Sequence, residues 1–554
     1  MFSKRSSWTK STYRTFKCRD YTYTILKYLF SVIITLFTFN TTGDYLFILI
    51  PMLELIIILV LSNYILRKYK KIGQILNNII ILLYNIEILV LIFGNSFVTL
   101  IMITNLDSWE ALKGRILTFT LGIVLLLLFS FLPIKYIEIK PKNIFFQKHY
   151  FHIPYLILLV STIIIEVMLS TYGGYKYSPT VAVYDLAKAE YKYIELLKKT
   201  ERESAEKKEK FYKEDVVDYV KKPQNLPKNP NVILIFTEGM SQHIIDDDRN
   251  ITPNIKNIQS NSLNFTNYYN HTFATYCGLI GQLFSGYQLN NFDKNYLVSL
   301  PQVLSKEGYD TSFINTESNN KEFSTYLSHL GFDRIVNSPI SKGQEVSFDM
   351  DAYDALFEQI TNQDINRPFF TSIYTFGTHI GMDSFDKKFQ DGSDKVLNRF
   401  YDLDYQFGEF IKKFNSSPLA ENTIIIFTTD HATYVDDEYL KAFPNHSRTM
   451  GNMDKVPFFV YYKGIEPKTI DVFGRNSIDL VPTILDYLDF SRENYFLGTS
   501  LFADEGRAGK FSHIFISELT YRSSKNNIIT DFSKTEESNI EAEVTEYYSA
   551  ARFR

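Results

Sequence analysis

Asn231-Val-Ile-Leu-Ile-Phe-Thr-Glu238 is an apolar, largely β-branched run closed by an acid, and Thr423-Ile-Ile-Ile-Phe-Thr-Thr-Asp430-His431 has the same form far downstream. Runs of this kind read as strands buried on both faces of a parallel sheet. Ligands of open α/β sheets gather at the carboxyl ends of such strands. Glu238 on one strand and Asp430-His431 on the other are therefore placed to meet around a metal.

Around these two runs, strand and helix alternate. Strands are expected at Val232–Phe236, Thr311–Asn315, Phe369–Thr375, Ile424–Thr428 and Pro457–Tyr462. Thr252-Pro253 starts a helix with a cap residue and a proline at the first position, and Ser477–Leu488 has helical amphipathic spacing. The alternation predicts an α/β domain with a mainly parallel sheet flanked by helices on both faces.

The first third of the 554-residue chain has a different composition. Five apolar runs, Tyr23–Phe39, Tyr45–Leu66, Ile75–Thr104, Ile116–Ile134 and Ile153–Thr171, approach or exceed the length of about 20 residues that crosses a bilayer. The third reads either as one long tilted helix or as two pieces. Basic residues crowd the N-terminal arm (Lys4, Arg5, Lys10, Arg14, Lys17, Arg19), the second loop (Arg67, Lys68, Lys70, Lys71) and the fourth (Lys135, Lys140, Lys142, Lys148). The positive-inside rule then puts the N-terminus in the cytoplasm, and five spans put everything after Thr171 outside. The expected domains are a five-span α-helical transmembrane domain (1–174), a juxtamembrane helical linker (175–226) with charged helix over Asp185–Lys222, a catalytic domain (227–525) and a C-terminal tail (526–554).

Cys18 and Cys277, the two cysteines, fall on opposite sides of the membrane in this topology, so no intramolecular disulfide is expected. A net charge of −4 gives no reason to invoke nucleic acid. The nucleophile candidate is Thr275, before a helix whose N–H groups and positive dipole end favour an alkoxide and an anionic substrate. Cys277 is the rival.

Strand-Glu238, Thr252-Pro-Asn-Ile, Thr275 before Gly278-Leu and Ser285-Gly-Tyr, Asp430-His431, Val456-Pro-Phe and Asp479-Leu-Val-Pro-Thr-Ile-Leu come in an order that resembles the alkaline phosphatase and sulfatase superfamily. With the spans ahead of it, the chain looks like the membrane-anchored branch, the lipoteichoic acid synthases and phosphoethanolamine transferases. The resemblance implies that Glu238, Thr275, Asp430 and His431 hold one divalent metal, with Thr275 also the nucleophile. Three oxygen donors and an imidazole suit Zn²⁺ or Mn²⁺. It further implies substrate-binding or proton-transfer roles for His379, in Phe376-Gly-Thr-His379-Ile-Gly, and His446, in Pro444-Asn-His446-Ser-Arg448. Arg448 is a weaker candidate for a phosphate contact, and His271 and His513 read as structural.

Departures narrow the choice. Cys277-Gly-Leu-Ile-Gly lacks the Cys-x-Pro-x-Arg of formylglycine sulfatases. Asn319–Ser324, ahead of Gly331-Phe-Asp333, lacks the Trp and Arg with which lipoteichoic acid synthases grip glycerophosphate. The exported domain also lacks the disulfides usual in lipid A-modifying transferases. The expected activity is transfer of a phospholipid headgroup, phosphoethanolamine in preference to glycerophosphate, from a phospholipid donor to an envelope glycan or glycolipid such as lipopolysaccharide. The expected location is the bacterial inner membrane, multi-pass, with catalysis on the periplasmic or extracellular side. The competing classes are a hydrolase, expected to need a second metal site built from further Asp and His, and an inactive relative, expected to bind no metal.

Overall fold

The computed structural model describes residues 21–94, 96–104, 116–137, 153–173, 175–202, 208–287, 297–364, 366–446, 453–503, 514–517 and 520–552. The N-terminal basic arm with Cys18, the loop 105–115, most of the fourth loop, Arg448 and His513 lie outside them. The chain divides into two compact units, Met1–Val98 with Leu117–Ala187, and Thr99–Ile116 with Lys188–Arg554.

In the first unit, helices cover Thr22–Thr42, Leu46–Lys68, Lys70–Gly94, Ile116–Ser130 and Ile153–Gly173. Among the described residues, the first three are long and apolar enough to cross a membrane. Shorter apolar stretches, Thr120–Ser130 and Leu156–Met168, lie in the other two. The third apolar run resolves into a helix ending at Gly94 and a separate short helix, Leu100–Thr104. Several buried polar side chains of this unit find partners within it, as an apolar solvent favours. Lys27 donates to Asn78 Oδ1 at 2.7 Å. Glu54 accepts from the Ser178 hydroxyl and from the Thr180 amide and hydroxyl, and Glu87 takes the Val98 amide at 2.8 Å.

The second unit is built on an eight-stranded sheet: β1 (Asn231–Thr237), β2 (Leu263–Thr266), β3 (Asp310–Asn315), β4 (Arg334–Asn337), β5 (Phe369–Thr375), β6 (Thr423–Thr429), β7 (Phe459–Tyr461) and β8 (Lys468–Asp471). Their order is β4-β3-β5-β1-β6-β7-β2-β8. All pairs are parallel except those that β7 makes with β6 and β2. Every residue of β1, β5 and β6 is buried. The period-2 alternation of a strand sends Val232, Leu234 and Phe236 into one core and Ile233 and Ile235 into another on the opposite face. Helices Thr275–Phe284, Leu300–Lys306 and Lys321–Ser328 help close the first core. Pro253–Ser260, Asp349–Thr361 and Lys395–Asn415 close the second. The short strands β2, β4 and β8 have too few apolar residues to stand out in the sequence.

Three local expectations change. The helix at Pro253 is capped from a distance: the Thr252 side chain makes no capping bond, and buried Asp404 accepts from the amides of Asn254 and Ile255 at 3.1 and 2.7 Å. Burial pushes the Asp404 carboxyl up to about 6. The charged helix is shorter than Asp185–Lys222. It runs over Pro179–Arg202, with one further turn at Lys208–Phe211. Beyond that turn the amides of Tyr219 and Val220 both bind Asp486 Oδ1, at 2.9 and 3.2 Å, where the interior of a helix would have bonded them to its own carbonyls. The segment read as a tail contains a three-stranded sheet's last strand, β11 (Thr530–Asp531), paired with β10 (Thr520–Ser523) next to β9 (Ile514–Ser517). It also forms the helix Lys534–Arg552, which buries Ile540, Val544 and Tyr547 in the first core.

Because the Asp404 carboxylate satisfies two otherwise orphaned helix donors, Asp404→Ala should lower stability by about 1–3 kcal/mol. A shift in the denaturant midpoint at constant slope would report it, and an unchanged midpoint would refute the distal cap.

Candidate active site

The site grows from one register. β1 and β6 run parallel with Thr237 opposite Thr429, so the residues that follow, Glu238 and Asp430, leave the sheet side by side. Two bonds lock the exit: the Asp430 amide donates to the Thr237 carbonyl at 3.2 Å, and the Gly239 amide to Asp430 Oδ1 at 2.9 Å. Gly239 makes the turn at φ +46°, a conformation that side chains resist, and a Cβ there would sit 3.3 Å from the His431 ring. His431 Nε2 then faces Glu238 Oε1 at 3.5 Å and Asp430 Oδ2 at 3.4 Å.

The helix Thr275–Phe284 brings the hydroxyl. Thr275 is its first residue and donates to Glu238 Oε2 at 3.1 Å. The preceding Ala274 is held at φ +78°, a backbone strain of a kind found at functional sites and costing on the order of 1–3 kcal/mol. Gly278 lets the helix lie against the β6 end: a Cβ there would fall 2.3 Å from the Asp430 carbonyl oxygen. Gln282, one turn on, donates to the carbonyls of Thr429 and Asp430 at 2.9 and 3.2 Å.

Electrostatics separate the two acids. Burial opposes ionisation of Glu238, but His431, His379 and the Tyr374 hydroxyl that donates to it together hold its carboxyl below the usual range. Burial and the Glu238 charge push Asp430 up to about 7. Asp430 Oδ2 is buried with no hydrogen-bond partner, a costly state for a carboxylate oxygen and an inviting one for a cation. Glu238, Asp430 and His431 each offer one ligand atom within 4.8 Å of the others. Their separations from His431, 3.5 and 3.4 Å, match the roughly 3.3 Å edge of a tetrahedron with bonds of about 2 Å. The donor set therefore fits a divalent ion.

His379 comes to the same place on the loop after β5, close enough for the Glu238 charge to act on it. Burial nevertheless lowers its pKa, favouring the neutral ring. Its ring stacks on Phe376, and its Nδ1 faces the Ile380 carbonyl at 3.0 Å. His446 joins a different group: its Nε2 lies 3.2 Å from Asp454 Oδ2 and its ring stacks on His243. His271 is buried, with its ring and amide on the Ser477 hydroxyl, and burial depresses its pKa to about 3. The Cys277 thiol is pushed up to about 12 by burial, which disarms it as a nucleophile.

Sequence reasoning missed Tyr374, Gln282, Asp349 and His243. Tyr374 had a signal, since it ends the apolar β5 run and pairs with Phe236 just before Glu238. Gln282 lies further along the Thr275 helix, His243 on the short helix Gln242–Asp246 after β1, and Asp349 at the start of the helix Asp349–Thr361.

Residues 230–490 match the sulfatase family model. This stretch, which holds the eight-stranded sheet and the Glu238, Asp430 and His431 group, is therefore similar to the sulfatases. It is 23% identical over 316 residues to the lipoteichoic acid synthase-like YvgJ of Bacillus subtilis, covering 49% of this chain and 50% of that one. It is 24% identical over 323 residues to phosphoglycerol transferase I of Citrobacter koseri, covering 50% of this chain and 39% of that one. The match thus spans half or less of the length of these relatives. Among solved structures it is similar to the integral membrane lipooligosaccharide phosphoethanolamine transferase A of Neisseria meningitidis, at TM-score 0.48 and 13% identity over 85% of this chain and 94% of that one.

One contact bears on the His379 loop alone. Asp349 Oδ1 accepts the Gly377 amide at 3.0 Å, and burial raises the Asp349 carboxyl to about 7. A raised acid stabilises the fold fully below its unfolded value near 4, and that contribution is lost as pH rises through 7. Asp349→Asn, which cannot ionise, should gain thermal stability relative to wild type between pH 5 and pH 8.5. A pH-independent difference between the two melting temperatures would contradict this.

Proposed function

We propose that the chain is a metal-dependent transferase that moves a phosphorylated headgroup from a phospholipid to a hydroxyl of an envelope glycan, through a phosphorylated Thr275. The observation that carries the reading is the Thr275 hydroxyl, set at the start of a helix and within hydrogen-bond reach of Glu238 in the group that includes Asp430 and His431. Glu238, Asp430, His431 and Thr275 itself would hold the ion. When bound, a divalent cation of the Zn²⁺ or Mn²⁺ kind lowers the pKa of a hydroxyl and offsets charge on phosphoryl oxygens.

The chain's own groups supply the rest. Glu238, kept ionised, accepts the Thr275 hydrogen bond and orients its oxygen toward an incoming phosphodiester. The positive dipole end of the helix that begins at Thr275 favours the anionic phosphoryl group. In the first step the Thr275 Oγ–P bond forms as the bond to the lipid oxygen breaks, and the proton that Thr275 gives up leaves on the diacylglycerol oxygen. In the second, a glycan hydroxyl forms its own bond to phosphorus as the Thr275 Oγ–P bond breaks. His379, whose ring burial keeps neutral, takes the proton of that hydroxyl, and the proton returns to Thr275 Oγ as it leaves. Apolar helices ahead of the domain would keep the site beside its lipid donor, on the outer side of a bacterial plasma membrane if five of them span it.

The headgroup has support on two sides. The missing Trp and Arg around Asn319–Asp333 favour phosphoethanolamine, whereas similarity to a lipoteichoic acid synthase-like protein and to a phosphoglycerol transferase favours glycerophosphate. A water-using hydrolase is the second reading, and the further His and Asp group at His446 is the observation in its favour.

Incubating the protein with headgroup-labelled phosphatidylethanolamine and phosphatidylglycerol, with mass spectrometry of Thr275 and of the glycan fraction, decides among these. Thr275→Ala should lose about a thousandfold or more of transfer. Full transfer by that variant would sink the mechanism, and label released only to water would favour the hydrolase. Tyr374→Phe, which removes the phenol donor from Glu238, should weaken zinc binding roughly tenfold in chelator competition. Unchanged affinity would mean that Tyr374 does not tune the site.

A further inference from the structure

The loop after β5 carries His379 into the site, and the start of the helix Lys395–Asn415 holds that loop at several points. Buried Asp402 accepts three successive amides, those of Phe385 and Asp386 on Oδ2 at 3.1 and 3.2 Å and that of Lys387 on Oδ1 at 3.1 Å. Asn398, also buried, accepts the Phe389 amide at 2.9 Å and donates to the Gly392 carbonyl at 2.9 Å and to Asp383 Oδ1 at 3.1 Å. Arg399, 2% exposed, extends the hold to the histidine itself: its Nη1 donates to the His379 carbonyl at 3.2 Å. Burying a guanidinium is costly, and only engagement of its donors offsets the cost.

His379 lies in a tight turn. Its amide donates to the Phe376 carbonyl at 3.0 Å, its carbonyl also accepts the Met382 amide at 3.1 Å, and Gly381 is at φ +80°. Nδ1 of the ring faces the Ile380 carbonyl at 3.0 Å, and the ring stacks on Phe376. A carbonyl oxygen only accepts, and a neutral imidazole carries one N–H. Burial favours the neutral ring against the pull of Glu238, and the Arg399 charge acts in the same direction as burial. The proton is therefore on Nδ1, which leaves Nε2 with the lone pair that a base needs. That assignment depends on the direction of the Ile380 carbonyl, one peptide beyond the carbonyl that Arg399 and Met382 hold.

We propose that Arg399 is a positioning residue for His379: by holding the His379 carbonyl it fixes the turn that keeps the ring proton on Nδ1 and presents Nε2 as the base. The part that concerns catalysis rests on the transferase reading. There Nε2 takes the proton of the acceptor hydroxyl as that oxygen bonds to phosphorus, and gives it to Thr275 Oγ as the Thr275 Oγ–P bond breaks. In this role Arg399 acts through His379 and not on the reacting atoms, so its effect should vanish when the imidazole is removed. An arginine with a purely structural role would lower stability to the same extent with or without the histidine.

Two measurements on the full-length protein in lipid nanodiscs test this, with circular dichroism checking that each variant is folded. In protein carrying nitrogen-isotope-labelled histidine, the His379 resonances, identified by their absence from His379→Gln, should place the proton on Nδ1 in wild type and show a mixture of both tautomers in Arg399→Met. A wild-type proton on Nε2, or a tautomer unchanged in Arg399→Met, overturns the proposal. This readout needs no turnover, so it decides the role of Arg399 even where no headgroup is moved and the proposed function falls. With labelled phosphatidylethanolamine as donor, Arg399→Met should lower kcat about ten- to a hundredfold and leave KM within about twofold. His379→Gln and the double variant with Arg399→Met should then turn over at rates within about twofold of each other. Arg399→Lys, which keeps a cationic donor, should recover most of the loss. Losses that multiply in the double variant overturn the proposal, because Arg399 would then act independently of His379. If Arg399→Met does not fold, Arg399→Leu takes its place under the same criteria.

Discussion

The parallel pairing of β1 with β6 is the constraint on which the rest depends. A parallel ladder ends both strands on the same edge, and this register ends them level, so two acids that are far apart in sequence leave the sheet as neighbours. Buried carboxylates so placed cannot both ionise cheaply. Their opposite shifts, Glu238 down and Asp430 up to about 7, are the electrostatic signature of that forced proximity. Everything else at the site answers the same strain: His431 between the acids, Tyr374 on Glu238, and an amide on Asp430.

A second layer of design lies in close approach. Gly278 and Gly281 stand where a methyl would collide with the Asp430 carbonyl and the His271 ring, so the Thr275 helix can sit directly on the strand end. His271 is thereby explained as packing, with its ring on Ser477. The same tightness places Thr275 within bonding distance of Glu238, and the unfavourable backbone at Ala274 is the local cost.

The central strands, the Thr275 helix and the acid-tipped ends were legible because buried parallel strands and helix starts leave local patterns in a sequence. Glu238, Asp430 and His431 were legible for the same reason, each sitting at the end of a readable element. Edge strands such as Arg334–Asn337, half-exposed and only four residues long, leave almost no pattern. Asp404 as a cap and Asp349 beneath Gly377 were hidden because their partners are far off in sequence. His446 was found as a residue, but its neighbours His243, on the five-residue helix Gln242–Asp246, and Asp454, in a loop, lie in segments too short to carry a periodicity. Residues 526–554 read as a tail because Ile540, Val544 and Tyr547 are spread among acids in a helix that is mostly polar.

That last helix has a consequence for how the molecule is assembled. Tyr547 lies against Gly286, just past the end of the Thr275 helix, where even a methyl would meet its hydroxyl at 2.2 Å. The helix that presents Thr275 thus has part of its support supplied by residues made long after it. Contacts of such sequence separation form late and slowly. A nascent chain stalled before residue 547 would have the strand ends and the nucleophile but not their full backing, so catalytic competence arrives with the completion of the core.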